Sequence, residues 1–137
     1  MVGVASEKEI VMTLLLYARE DDIGRRLKER IQGLTLSHAM ESFETIDRLI
    51  QRLRQPVDGF SMAVILAGNR SELTKILNVG DLLGNLKIII ILPDRNPDTI
   101  SAALKLHPRY MSYADEDFLD VSMVTGRMLQ RSYSEIV

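Results

Sequence analysis

The stretch that decides the fold is Lys87-Ile-Ile-Ile-Ile-Leu92. Four successive isoleucines are β-branched, which suits an extended backbone, and they leave no polar face. A strand without a polar face is covered on both sides, and this is the signature of a central strand in a parallel sheet. The residues that follow begin a helix: Asn96 as cap, Pro97 at the first position and Asp98 on the positive end of the helix dipole. A buried strand followed by a capped helix is one βα unit.

The same unit recurs in both directions. Upstream, Ile10 to Tyr17 is a second apolar run, followed by Asp21 and Asp22 as helix-opening acids. Ile23, Leu27 and Ile31 come next at helical spacing, with Gly33 as a stop. Leu34 to His38 alternates and reads as a shorter strand nearer an edge. Ser42 then reads as the cap of a helix striped by Phe43, Ile46, Ile50 and Leu53. Gln55 to Gly59 is turn chemistry. Phe60 to Ala67 reads as a buried strand, and Ser71 to Leu77 as a short helix with Leu73, Ile76 and Leu77 inward. Downstream, the Asn96 helix runs to about Leu106, Pro108 interrupts, and Tyr110 to Tyr113 reads as a fifth strand. Phe118, Val121, Val124 and Met128 stripe a last helix.

Five alternating units predict a parallel sheet with right-handed crossovers and helices on both faces. The expected fold is therefore a flavodoxin-like (βα)5 three-layer sandwich with a five-stranded parallel sheet in the order 2-1-3-4-5. The 137 residues are expected to form a single domain, 1–137, with its core at about 10–131 and short tails.

Composition limits the chemistry. The 17 basic and 19 acidic residues give a net charge of −2, which offers no general attraction to nucleic acid or to an anionic membrane. Without cysteine, the chain has no disulfide, thiolate catalysis or cysteine-bound zinc. Its apolar runs are too short to span a bilayer, and Met1 to Ile10 does not read as a signal peptide. A cytoplasmic location is the expectation.

In this architecture ligands gather outside the carboxyl ends of the strands. Those loops open with Ala18-Arg19-Glu20-Asp21-Asp22, Ala67-Gly68-Asn69-Arg70, Pro93-Asp94-Arg95 and Ala114-Asp115-Glu116-Asp117. Leu14-Leu-Leu-Tyr-Ala-Arg-Glu-Asp-Asp-Ile-Gly-Arg-Arg-Leu27 resembles the opening of the response-regulator receiver domains of bacterial two-component signalling. Ala39-Met-Glu-Ser-Phe-Glu-Thr-Ile-Asp-Arg-Leu49 is similar to the rhythm of their second helix. The resemblance covers roughly Ile10 to Arg131 and rests on element order and spacing.

The resemblance implies five functional positions: an acid pair for magnesium after strand one, an acceptor aspartate after strand three, a hydroxyl after strand four, and a lysine followed by proline after strand five. Carboxylates suit a hard cation and serve as phosphoryl acceptors, and lysine neutralises the transferred group. Here the acid pair falls on Ala18 and Arg19, and the acceptor on Ala67. The hydroxyl falls on Leu92 or Pro93, and the lysine on Tyr113 or Ala114. None is the expected type. The expectation is a pseudo-receiver, with no aspartyl phosphorylation, no bound metal or cofactor, and no enzymatic activity.

A metal site built from Glu20, Asp21, Asp22 and Asp94 is the weaker reading, because Asp21 and Asp22 suit a helix start and Asp94 a loop. Arg19, Asn69, Arg70 and Arg95 form a candidate anion rim. The plainer reading pairs the arginines with Glu20, Asp94 or Asp115. The acidic, glycine-free loop after strand one does not suit a flavin phosphate, and no G-x-G-x-x-G, P-loop or nucleophile elbow is present. His38 and His107 stand apart, without a metal or triad partner.

Two functions follow as expectations. The first is a regulatory module in signal transduction that meets a protein partner or a second copy through its last helix, with Tyr113, Phe118, Met123 and Tyr133 as candidate contacts. The resemblance implies that the fourth helix and fifth strand share this face. The second is a small anionic-ligand domain using Arg19, Asn69 and Arg95. Neither nucleic acid nor membrane is an expected partner.

Overall fold

A computed structural model describes residues 13–34 and 39–136, with side chains to Arg131. Five strands form one sheet: β1 (Thr13–Tyr17), β2 (Ala39–Phe43), β3 (Phe60–Leu66), β4 (Lys87–Leu92) and β5 (Tyr110–Tyr113). All neighbouring strands run parallel, in the order β2-β1-β3-β4-β5. The helices are α1 (Asp22–Gln32), α2 (Ile46–Leu53), α3 (Arg70–Asn78), α4 (Pro97–Ala103) and α5 (Leu119–Ile136). Short 3-10 turns at Gly80–Leu83 and Leu104–Leu106 follow α3 and α4. This is the flavodoxin-like arrangement expected from the sequence.

Strand alternation sorts the core into two layers. Leu15 and Tyr17 of β1, Ala63 and Ile65 of β3, and Ile88 and Ile90 of β4 face α2, α3 and α4. Leu14, Leu16, Met62, Val64, Ile89 and Ile91 face α1 and α5, where they meet Leu27, Ile31, Val121 and Leu129. The four isoleucines of β4 are all buried, two on each face.

The second βα unit corrects the sequence reading. The described strand is Ala39–Phe43, paired in parallel with β1 from Thr13↔Ala39 to Tyr17↔Phe43. Leu34 lies in the turn after α1, donating its amide to the Ile31 carbonyl, and Thr35 to His38 lie outside the described residues. The residues read as the opening of a helix are thus a strand, and Phe43 belongs to it. Ala39, Met40 and Glu41 have high helix propensity, which backbone pairing with β1 overrides. Ser42 is not the cap. Thr45 is: its Oγ1 accepts from the Arg48 amide at 3.2 Å, and Leu49 and Leu53 then carry the buried stripe. As the edge strand, β2 buries no residue fully, and Glu41 meets Arg52 at 3.0 Å.

Asp21 and Asn96 cap their helices as the sequence announces, and Asn69, read from the sequence as a rim residue, is a cap as well. Asp21 accepts from the Gly24 amide at 2.8 Å, Asn69 from the Glu72 amide at 2.8 Å, and Asn96 from the Asp98 amide at 3.0 Å. Gly24 is required where it stands. A Cβ there would lie 1.8 Å from the Arg19 carbonyl oxygen, so the first turn of α1 packs directly on the loop after β1. Phe118 is buried with a left-handed φ of 65°, a conformation that packing must hold for an aromatic residue.

Candidate functional site

The carboxyl edge of the sheet carries a row of alanines. Ala18, Ala67 and Ala114 each extend a parallel ladder by one bond, donating their amides to Phe43, Ile91 and Leu92 carbonyls at 3.0, 2.9 and 2.9 Å. Ala67 is fully buried at the end of β3, on the sheet face covered by α3. A magnesium ion does not fit the end of β1, where a small apolar side chain and the guanidinium of Arg19 stand in place of two carboxylates. Among the described residues no three carboxylate or histidine groups gather as a ligand set.

One carboxylate does reach the switch point, and the sequence reading missed it. Glu72 lies in the first turn of α3, buried to 8% exposure. Its Oε1 accepts from the Gly68 amide at 2.9 Å, the residue after Ala67. Its Oε2 lies 3.7 Å from Nε of Arg19. The phenol of Tyr17, fully buried at the end of β1, faces the same carboxylate. Burial, followed by the Glu72 charge and hydrogen bond, pushes the Tyr17 hydroxyl well above its ordinary pKa. Asn69 and Glu72 form a variant of the capping box, in which the glutamate reaches Gly68 and not the cap residue's own amide. The Asn-x-x-Glu spacing is therefore the local signal for this group.

The three rim arginines are each committed to a separate partner. Arg19 pairs with Glu72. Arg70 donates to Oγ1 of the fully buried Thr99 at 3.1 Å. The Thr99 hydroxyl and then the Asn96 amide hold the Asp94 carboxyl below its ordinary pKa, with Arg70 adding its charge. Arg95 pairs with Asp115, lies 3.8 Å from Glu116, and stacks 4.2 Å over the ring of Tyr113. The hydrogen bond that Arg95 donates to Asp115, with the neighbouring acids, raises the pKa of Arg95 further.

A crevice of about 390 Å3 opens at the switch point between β1 and β3, beside the starts of α2 and α3. Arg19, Asn69 and Lys75 line it, but so do Glu44, Asp47 and Glu72, and neither Arg70 nor Arg95 reaches it. Asn69 serves α3 as its cap.

On the opposite sheet face, β5 and α5 share a second polar group. The Asp120 carboxylate accepts from the Tyr110 hydroxyl at 2.7 Å and from the buried Ser112 hydroxyl at 2.9 Å. Burial works against the Asp120 charge, but these two bonds and the backbone amides outweigh it and hold the carboxyl below its ordinary value. The same contact raises the Tyr110 phenol to about 12.

Of the candidate contact residues, Met123 is 55% exposed and Tyr113 is half-buried beneath Arg95. Phe118 is fully buried, with Arg26 against its ring, so it is a core residue and not a contact. Tyr133 lies outside the described side chains. Leu119 and Leu104, at 49% and 53% exposure, are large apolar residues left open near Met123 in the sequence order of α5 and at the end of α4. Among the described residues, no helix is long and apolar enough to cross a membrane.

No family model matches the chain, and no curated protein does. Solved structures match over nearly its whole length. The signal receiver domain of an HD domain-containing protein from Pseudomonas fluorescens superposes with a TM-score of 0.70 at 14% identity, covering 91% of each chain. The chain has the fold of a response-regulator receiver. A CheY-like receiver domain protein from Methanospirillum hungatei gives a TM-score of 0.69 at 11% identity, covering 91% of this chain and 98% of the other. A response regulator receiver protein from Pseudoalteromonas atlantica gives 0.66 at 13%, covering 91% and 99%. This receiver-like domain therefore shares an architecture with solved response-regulator receivers.

Proposed function

We propose that this receiver-like domain regulates by contact and not by aspartyl phosphorylation. The observation that carries the proposal is the end of β3: Ala67 is buried there, and the next amide, Gly68, is already taken by the Glu72 carboxylate. An alanine supplies no phosphoryl acceptor, and a resident carboxylate beside it repels an incoming phosphoryl donor. The end of β3 thus offers a satisfied polar cluster and no acceptor, and in this reading the domain is a binding module and not an enzyme.

The contact surface in this reading is the outer side of α5 with the adjoining edge strand β5. Leu119 and Met123 stand one turn apart on α5, and a protein partner or a second copy that covers them removes two large apolar side chains from water. The acidic balance of the chain speaks against nucleic acid as that partner. The rim offers an anionic metabolite little, since each of its arginines is matched by a nearer partner.

Incubation with acetyl phosphate and magnesium, read by intact mass, is expected to give no phosphoryl adduct, and beryllofluoride to give no change in amide resonances at Gly68 or Asn69. An adduct, or a saturable shift there, would remove the central claim.

A further inference from the structure

A larger crevice lies at the other end of the sheet, away from the strand-end rim. Its volume is about 700 Å3, within the range of small-molecule sites. It is walled by the Gly80–Leu83 turn with Gly84 and Asn85 on one side, and on the other by the segment Lys105-Leu-His-Pro-Arg109 between α4 and β5.

Three features set it apart. Lys105, His107 and Arg109 all line it, against a single acid, Asp81. These three exposed side chains make no ion pair or hydrogen bond among the described residues, in contrast to Arg19, Arg70 and Arg95. Beneath them, Leu77, Leu86 and Leu106 are only partly buried and give the crevice an apolar floor beside the buried Ile88. The walls are held close: a Cβ at Gly80 would lie 3.0 Å from Cδ2 of Leu106. His107 turns the chain with a left-handed φ of 51°, which places Lys105 and Arg109 on either side of it.

We propose that this crevice binds a small organic anion, with a phosphate or carboxylate head held by Lys105, Arg109 and His107, and an aromatic or aliphatic body on the leucine floor. Lys105 and Arg109, without an acidic partner among the described residues and set around a concave wall, concentrate an anion, and the floor gives up exposed apolar area when the body covers it. The proposal stands independently of the strand-end reading, because it uses none of the same residues.

The test uses adenosine monophosphate as probe, inorganic phosphate as the headgroup alone, and amide resonances as readout. Adenosine monophosphate is expected to shift Gly80, Gly84, Asn85 and His107 saturably, with a Kd below about 1 mM. The double variant Lys105→Glu with Arg109→Glu, both exposed positions, is expected to weaken that binding at least tenfold with the circular dichroism spectrum unchanged. Inorganic phosphate is expected to bind at least tenfold more weakly than the nucleotide. Absence of a saturable shift, equal binding by the double variant, equal binding of bare phosphate, or shifts confined to Gly68 and Asn69 would each overturn the proposal.

Discussion

The two ends of the sheet each carry basic side chains and use them differently. At the carboxyl end, Arg19, Arg70 and Arg95 come from three loops, and each meets its own partner: Glu72, Thr99 and Asp115. At the amino end, Lys105, His107 and Arg109 come from one segment and meet none among the described residues. A cation with a partner in its own fold is part of the scaffold, whereas one without a partner is available to something else. The end at which this architecture ordinarily does its chemistry is here the internally satisfied one.

The largest effect that would sharpen this contrast is expected at Glu72. Replacing it by alanine leaves the exposed Gly68 amide and the half-exposed Arg19 without their acceptor and the buried Tyr17 hydroxyl without its partner, and the loss of stability is expected to be about 2 kcal/mol by urea unfolding. Glu72→Gln keeps an oxygen for the Gly68 amide and is expected to recover roughly half of that loss. If both variants unfold like the parent, the carboxyl-end cluster is not structural and the contrast fails.

Asp120 is a partly buried acid without a cationic partner among the described residues, so it separates hydrogen bonding from charge pairing. Its folded pKa lies below the ordinary 3.8. Its contribution is therefore complete above about pH 4 and is lost as pH falls through the lower folded value. Asp120→Asn is expected to cost about 1 kcal/mol near neutral pH and to flatten the decline of the melting temperature below pH 4. Tyr110 works in the opposite sense: its folded pKa is raised from 10.0 to about 12. Its bond to Asp120 is thus complete below about pH 10 and is lost as pH rises through 12.

Smaller changes test the two ends directly. Arg95 is half exposed, and Arg95→Ala is expected to lower the melting temperature by no more than about 2 °C, diminishing with added salt. Lys105→Ala with Arg109→Ala is expected to leave the melting temperature within about 1 °C of the parent, because no partner in the fold is lost. A drop larger than that of Arg95→Ala would show that the amino-end cations are structural after all.

How far the sequence could be read depended on the range over which each element is specified. The four isoleucines of β4 announce burial on both faces by themselves, and the structure buries all four. Asp21, Asn69 and Asn96 satisfy amides two or three residues away, so their roles are local. The second strand fails for the converse reason. Ala39, Met40 and Glu41 favour a helix, and pairing with β1 makes the segment a strand. Phe118 sits at a helical spacing that suits either an open or a buried face, and packing against Arg26 and the α1 side decides it.

By itself, the sequence determined the succession of five strand–helix units and the side chains missing from the strand ends, Ala67 above all, because periodicity, caps and residue identity are properties of neighbours along the chain. Only the tertiary structure decided which charges are spent. Glu72 meets Arg19, Tyr17 and Gly68 because parallel pairing of β1 with β3 brings their carboxyl ends together. Lys105, His107 and Arg109 meet no acid among the described residues, where the segment that carries them faces Asp81 across a crevice. Contacts of that kind join residues far apart in the chain, and no local pattern encodes them.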